Sequence, residues 1–182
     1  MKREDEFTKP RADCPNPGYW TAPDAYSTEC EVTELVGAFV RALQPEYVVE
    51  TGTAFGYTAA AVGAALAANG HGRLDTIEID AEKVAEARRR CAGLPVSVVH
   101  SDSTGFDPAE QIGFAWFDSR IELRVPEFDR FRPWLATGTI VGFHDSGPQH
   151  ALRPALDHLV SSNKIRALFL NTPRGVCFAE VL

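Results

Sequence analysis

Cysteine is scarce and scattered in this chain of 182 residues. Its four cysteines, Cys14, Cys30, Cys91 and Cys177, form no C-x-x-C pair. That argues against a zinc site or a disulfide framework and favours free thiols in a reducing compartment. No run approaches the roughly 20 apolar residues that a membrane span needs, and the charged residues 1–6 lack the apolar centre of a signal peptide. We therefore expect a cytoplasmic protein without a membrane partner.

Positive charge is also in deficit. The chain has 18 Lys and Arg against 25 Asp and Glu, a formal net charge of -7. Nucleic-acid surfaces need clustered basic residues, so no nucleic-acid partner is expected. The one basic cluster, Arg88–Arg90, ends a helical stretch, where it complements the helix dipole. The length and a hydrophobic fraction of 45% suit one globular domain with a sizeable core.

Three common site motifs are missing. The chain has no Gly-Lys-Ser/Thr phosphate loop and no His-Glu-x-x-His metal motif, and the missing second glycine of Gly-x-Gly-x-x-Gly argues against a nicotinamide oxidoreductase. The segment 47–66 instead combines a β-branched run, a glycine turn and an alanine-rich helix, with the spacing Glu50, Gly52, Gly56. Such a turn lets a ligand sit on backbone N–H groups, and Glu50 would add a fixed negative charge suited to a cationic ligand.

Four further apolar runs end in polar residues, and each predicts a strand. In parallel sheets the carboxyl ends of the strands share one edge, where ligands bind. Five acids then fall on that edge. The runs are 74–80, 96–103, 112–119 and 138–146, and the acids are Glu50, Glu78, Asp102, Asp118 and Asp145.

Helical periodicity separates these strands. Apolar residues three and four apart predict a helix from Ser27 or Thr28, either of which can cap it, to Pro45. Further helices are predicted over 57–69, 81–91, 125–135 (broken, because Pro133 disrupts it) and 153–161, with two final strands over 165–170 and 175–181.

The segment 47–66 resembles the first motif of class I S-adenosylmethionine-dependent methyltransferases, and the resemblance covers residues 27–182. It implies an α/β fold: a doubly wound, mostly parallel seven-stranded sheet with helices on both faces and a C-terminal antiparallel strand pair. Residues 1–26 are predicted to form an N-terminal arm. Its aromatic residues would cover the active site as a lid, contact a partner subunit of a homodimer, or pack on their own domain.

The resemblance also implies where S-adenosylmethionine binds. The glycine turn would pass beneath its methionine part, Glu78 would accept hydrogen bonds from the ribose, and Asp102 would contact the adenine amino group. Asp80 is a second candidate for the ribose, or else the N-cap of the next helix. The predicted cofactor residues are Glu50, Thr51, Gly52, Thr53, Gly56, Tyr57, Thr58, Glu78, Ile79, Asp102, Ser103 and Asp118.

The nearest branch contains small catechol-type O-methyltransferases, which implies methylation of a small-molecule acceptor at oxygen. Asp118 and Asp145 match the acids that hold Mg²⁺ in that branch. Two positions depart from the pattern of that branch. Ser146 stands in place of an Asn, and Ile121 stands in place of a Lys that acts as the base. A metal-dependent site and a metal-free site therefore both remain as alternatives.

In the metal-free alternative, His144 or Asp145 would act as a general base. Asp118, His144 and Asp145 are thus the predicted catalytic residues. His144 could instead be a strand-end histidine satisfied by its neighbours, and Asp118 a loop or capping acid. A non-catalytic binding or regulatory module of the same fold is the alternative function.

Overall fold

The computed structural model describes residues 14–24 and 26–182. Residues 1–13 and Ala25, which belong to the predicted arm, lie outside this part of the chain. The strands are β1 (Tyr47–Thr51), β2 (Arg73–Glu78), β3 (Val96–His100), β4 (Phe114–Phe117), β5 (Ile140–His144), β6 (Ile165–Leu170) and β7 (Val176–Val181). The helices are α1 (Cys30–Leu43), α2 (Tyr57–Asn69), α3 (Ala81–Arg90), α4 (Arg124–Phe131) and α5 (Leu152–Ser161).

The seven strands form one sheet in the order β3-β2-β1-β4-β5-β7-β6. The first five are parallel, while β7 runs antiparallel between β5 and β6. The order reverses at β1, which pairs with β2 on one side and β4 on the other. A crevice for ligands forms at such a switch point. The predicted doubly wound fold with its closing antiparallel pair is confirmed.

Alternating side chains on the central strands serve two separate cores. Val48 and Trp116 pack with α1 and α2 on one face. Val49 and Phe117 pack with α4 and α5 on the other. Because both faces are covered, the central strands are buried along their whole length. Only their ends can meet a ligand.

The predicted helix breaks are confirmed. Gly70, in the left-handed conformation at φ 80°, closes α2. A 3₁₀ turn over Arg132–Trp134 follows α4 and includes Pro133, so the segment is broken as expected. No helix in the described part of the chain is long and apolar enough to cross a lipid bilayer.

The start of α1 differs from the prediction. The helix begins at Cys30 with Glu29 at the N-cap, and no side chain caps it. Ser27, Thr28 and Glu29 are all buried. The hydroxyl of Thr28 donates to Asp118 Oδ2 over 2.6 Å, and not to a backbone N–H of the helix. The capping roles predicted for Ser27 and Thr28 are therefore wrong, because this segment packs on the end of β4.

Candidate functional site

A cavity of about 700 Å³ opens at the carboxyl edge of the sheet. Its walls come from the loops after β1, β2, β3, β4 and β5, together with Tyr26 of the arm and Arg174 of the β6–β7 turn. A recess of about 10 Å³ adjoins it beside the glycine turn. Both spaces are lined by Tyr26, Gly52, Ala54 and Asp118, so these residues lie where cavity and recess meet.

The glycine turn after β1 is held by its own chain. The N–H groups of Gly52 and Thr53 donate to the carbonyl of Ile77, and that of Ala54 donates to Glu78 Oε2. The N–H of Gly56 donates to the carbonyl of Thr53. These four amides are already bonded, so the predicted cradle of backbone N–H groups is not formed by them.

Gly52 is required by packing as well as by conformation. Its φ is 82°, and a Cβ there would lie 2.4 Å from the carbonyl oxygen of Asp118 and 2.6 Å from Cα of Ser119. A glycine lets the turn rest directly on the end of β4. The glycine turn thereby fixes the backbone beside Asp118.

Glu78 lies at the end of β2 and lines the cavity. Its Oε1 accepts from the N–H groups of Ile79 and Asp80, both over 3.0 Å, and its Oε2 accepts from Ala54 over 2.8 Å. A carboxylate has about four acceptor positions, so this one can accept a further bond from a ligand. Asp80 caps α3 by accepting from Glu82 and Lys83, as predicted.

The cavity lining near Glu78 combines polar and apolar groups. Ile79 is 66% exposed and lines the cavity, so it offers an apolar surface there. Asp102 caps a short 3₁₀ turn, because its Oδ1 accepts from the backbone N–H and the hydroxyl of Thr104. Ser103 also lines the cavity. The wall suits a flat ring with polar edges.

Glu127 of α4 ties this edge together. Its buried carboxylate accepts the hydroxyls of Thr51 over 2.7 Å and Ser119 over 2.8 Å, and also that of Ser103. These three donors follow or end β1, β4 and β3. One carboxylate therefore fixes three of the loops that shape the cavity. Sequence reasoning missed it, because a Glu inside an amphipathic helix ordinarily indicates a solvated face.

A buried charged cluster closes the other end of the cavity. It contains Glu29, Asp118, Arg124, His144, Asp145 and Arg174. His144 at the end of β5 is 0% exposed, and its Nε2 lies 2.6 Å from Glu29 Oε2 and its Nδ1 3.1 Å from Asp118 Oδ1. Burial alone would lower the pKa of His144, but the carboxylates of Asp118 and Asp145 outweigh it and raise that pKa to about 9. The ring is thus an imidazolium at neutral pH.

Two arginines complete the cluster. Arg124 Nη2 donates to Asp118 Oδ1 over 3.0 Å and to Asp145 Oδ2 over 2.9 Å. Arg174 donates to both oxygens of Asp145, over 2.6 and 3.1 Å. Burial alone would raise the pKa of Asp145, but His144 and the two guanidinium groups hold it well below its usual range. Neither arginine was predicted, since Arg124 starts a helix and Arg174 lies in a turn, and no site motif surrounds either of them.

Glu50 departs from its predicted charge. It is 1% exposed and accepts the hydroxyl of Thr76 at the neighbouring strand. Burial raises the pKa of Glu50 to about 8 against the weaker effect of that hydrogen bond. The side chain is therefore mostly protonated at pH 7, and the predicted fixed negative charge is wrong for this structure.

Comparison with known proteins identifies the domain. Residues 49–146, more than half of the chain, match the family model described as a methyltransferase domain. The chain belongs to this methyltransferase-domain family. No curated protein matches the sequence. The predicted membership of the class I methyltransferases is confirmed, and with it the prediction of an enzyme.

Solved structures share the fold at low sequence identity. The SAH-bound methyltransferase PaMTH1 of Podospora anserina is 15% identical with a TM-score of 0.75, over 88% of this chain and 82% of that one. TomG of Streptomyces achromogenes, an O-methyltransferase of tomaymycin synthesis in complex with SAM, is 19% identical with a TM-score of 0.69, over 87% and 82%. An O-methyltransferase from Bacillus cereus in complex with SAH is 18% identical with a TM-score of 0.69, over 87% and 84%.

Most of the predicted cofactor residues of this methyltransferase domain lie around the two spaces. The main cavity is lined by Gly52, Glu78, Ile79, Asp102, Ser103 and Asp118, and the recess by Gly52, Thr53, Tyr57, Thr58 and Asp118. Glu50, Thr51 and Gly56 line neither space within residues 14–24 and 26–182. Of the predicted catalytic residues, Asp118 and Asp145 line the cavity and His144 does not.

Asp118, His144 and Asp145 offer ligand atoms within 4.8 Å of one another, close enough to contact one ion. Their bonds do not suit a metal. Arg124 already bridges the two carboxylates, and both ring nitrogens of His144 are hydrogen-bonded to the carboxylates of Glu29 and Asp118. The residues present therefore do not fit a divalent cation.

Proposed function

We propose that this methyltransferase transfers a methyl group from S-adenosylmethionine to an oxygen atom of a small-molecule acceptor. The observation that carries the proposal is one continuous cavity that joins the wall at Glu78 to the charged end at Asp118 and Arg124. Its volume of about 700 Å³ falls in the range of small-molecule sites. The similar folds named above include O-methyltransferases and complexes with SAM or SAH. Nothing specific favours the non-catalytic alternative.

The nucleoside would lie along the wall between β1 and β3. Glu78 has one acceptor position left for a ribose hydroxyl, and Ile79 offers an apolar surface to the adenine ring. Asp102 uses Oδ1 on Thr104, so Oδ2 can accept from the adenine amino group. Ser103 lies beside it in the same wall. These assignments follow the resemblance and agree with the positions of the side chains.

The methionine part would lie toward the recess lined by Thr53, Tyr57 and Thr58. The recess of about 10 Å³ must widen to admit it, by a shift of Tyr57 or of the arm residue Tyr26 that also lines it. A lid role for residues 1–26 stays a prediction, and so does a homodimer.

S-adenosylmethionine supplies an electrophilic methyl group when it is bound, so the chain chiefly has to position the acceptor. Asp118 lines both spaces and would contact the reacting end. His144 has no exposed surface and donates both ring N–H groups to carboxylates, so it would position Asp118 rather than take a proton. Asp145 would position Arg124 in the same way. This arrangement favours an acidic acceptor hydroxyl, such as a phenol, which ionises without a strong base.

Calorimetry with S-adenosylhomocysteine tests the cofactor half of the proposal. We expect micromolar binding that Glu78→Gln weakens at least about 10-fold, because a hydrogen bond to a charged acceptor is worth roughly 1.5–3 kcal/mol. Glu82→Gln on the exposed start of α3 is the matched control and should bind as the wild type does. A folded wild type that gives no binding heat would remove the cofactor assignment.

The acceptor half is tested by activity. The protein is incubated with S-adenosylmethionine carrying a labelled methyl group and a panel of phenols, aliphatic alcohols and amines. Label in a phenol ether, located by NMR, is the expected product. Transfer only to nitrogen or carbon would contradict methylation at oxygen, and S-adenosylhomocysteine binding without any transfer would favour the non-catalytic module.

A further inference from the structure

The two acids at the ends of β4 and β5 already share a cation that belongs to the chain. We propose that Arg124 takes the place of a divalent metal between Asp118 and Asp145, and that its removal opens a metal site there. The catalytic meaning of this inference rests on the proposed function, since Arg124 lines the acceptor end of the cavity.

A single nitrogen makes the bridge. Arg124 Nη2 lies 3.0 Å from Asp118 Oδ1 and 2.9 Å from Asp145 Oδ2. One positive centre thus contacts one oxygen of each carboxylate, as a metal ion bridging two acids would. The guanidinium is the side chain best suited to such a fork, and it keeps its charge at any physiological pH.

The arginine is held in place by its other bonds. Its Nε donates to the carbonyl of Ser119 over 2.9 Å, and its Nη1 donates to the carbonyl of His144. Its side chain is only 4% exposed. An ion therefore cannot reach the two acids by simple rotation of an exposed arginine, because four hydrogen bonds would have to break together.

The remaining carboxylate oxygens are also bonded. Asp118 Oδ2 accepts the hydroxyl of Thr28 over 2.6 Å, and Asp145 Oδ1 accepts Arg174 Nε over 2.6 Å. Mg²⁺ demands about six oxygen ligands at roughly 2.0–2.1 Å. Those ligands would have to be recruited against two buried guanidinium groups that repel the ion.

The charges of the cluster also indicate that Arg124 takes the place of a metal ion. Three carboxylates, Glu29, Asp118 and Asp145, face two guanidinium groups, and the imidazole of His144 lies between Glu29 and Asp118. Deleting Arg124 leaves two carboxylates short of a partner in a buried site, which is costly unless another cation replaces it. A divalent ion is the cation that two adjacent carboxylates recruit most readily.

An arginine in the place of a metal ion has a functional consequence for the acceptor. A bound metal can polarise an oxygen as a Lewis acid, whereas a guanidinium acts only through charge and hydrogen bonds. An acceptor would therefore be held by its negative oxygen beside Arg124, without the chelating pair of neighbouring oxygens that a metal favours.

The test compares metal binding by the wild type, Arg124→Ala and Arg124→Gln after dialysis against a chelator. Thermal unfolding and calorimetry are run without S-adenosylmethionine, in Mg²⁺, Mn²⁺ or a potassium salt of equal ionic strength. We expect no specific shift of the wild-type Tm, and a rise of about 4 °C or more for either variant with a divalent ion only. Arg120→Gln, an exposed arginine lining the same cavity, is the matched control and should respond as the wild type does.

Stoichiometric Mg²⁺ or Mn²⁺ binding by the wild type that Asp118→Asn abolishes would overturn the proposal. So would folded Arg124 variants that ignore divalent ions. If neither variant folds with or without an ion, metal binding by the wild type decides. Absence of divalent-ion binding by the wild type then supports the replacement of a metal ion by Arg124. Because these readouts involve no methyl transfer, an inactive protein with the expected metal behaviour would count only against the proposed function.

Discussion

The protonation of Glu50 makes the pH dependence of folding a sharp test of the structure. Glu50→Gln keeps the shape of the side chain and an oxygen that accepts from Thr76, but it cannot ionise. The substitution therefore imitates the protonated acid that burial favours in the folded chain. The variant should therefore be more stable than the wild type at neutral pH.

The size of the effect follows from proton linkage. Burial raises the pKa of Glu50 from 4.5 to about 8 in the folded chain. Because the pKa is raised, the contribution of Glu50 to the free energy of unfolding is complete below pH 4.5 and is lost as the pH rises toward 8. Between these two values only the folded state holds the proton. Each pH unit lowers the free energy of unfolding by about 1.4 kcal/mol. Between pH 5 and pH 7 the wild type should lose roughly 2–3 kcal/mol relative to Glu50→Gln.

Urea unfolding at pH 5, 6, 7 and 8, followed by tryptophan fluorescence, measures this difference. His144, whose pKa of about 9 gives a slope of the same sign between pH 6.5 and 9, is present in both proteins and cancels from the comparison. Glu46→Gln, an exposed acid just before β1, is the control and should keep the wild-type slope. A stability difference that stays constant from pH 5 to pH 8 would show that Glu50 is ionised in the folded chain and would refute the reasoning.

Two further substitutions test the framework of the cavity. Gly52→Ala should lower the free energy of unfolding by at least about 2 kcal/mol, because the Cβ would meet the backbone of Asp118 and φ is positive. Gly70→Ala is the control, since at φ 80° in open space it carries only the conformational cost. Equal losses of stability in urea titrations would show that the contact with Asp118 is harmless. Glu127→Gln should lower the free energy of unfolding by about 2 kcal/mol and weaken S-adenosylhomocysteine binding, since a neutral amide replaces the carboxylate that accepts three hydroxyls. Unchanged affinity in calorimetry would confine Glu127 to a structural role.

The sequence predicted the elements of this fold well because their signals are local. Period-two and helical patterns, glycine after α2 and Pro133 after α4 each act within a few residues of the feature they produce. The acids that end successive strands could be placed at one edge because parallel strands align their carboxyl ends. Glu78 and Asp102 were found for that reason.

The charged cluster could not be predicted in the same way. Glu29 and His144 are 115 residues apart in the chain, and Arg174 contacts a backbone carbonyl 147 residues away. A sequence pattern indicates which residues are polar, but it does not show which polar groups will meet in the interior. Arg124 therefore gave no signal, although its guanidinium lies between Asp118 and Asp145.

By itself, the sequence determined the class of fold and the edge of the sheet at which the cavity opens, because periodicity and turn chemistry are properties of neighbouring residues, and the motif over residues 47–66 resembled the right family. Only the tertiary structure decided the charge state of that edge. Burial favours the protonated form of Glu50, the neighbouring carboxylates keep His144 an imidazolium against the effect of burial, and the packing of α4 brings a guanidinium between two carboxylates. Desolvation and pairing depend on what surrounds a group in space, so the ionisation of these side chains was settled by the fold.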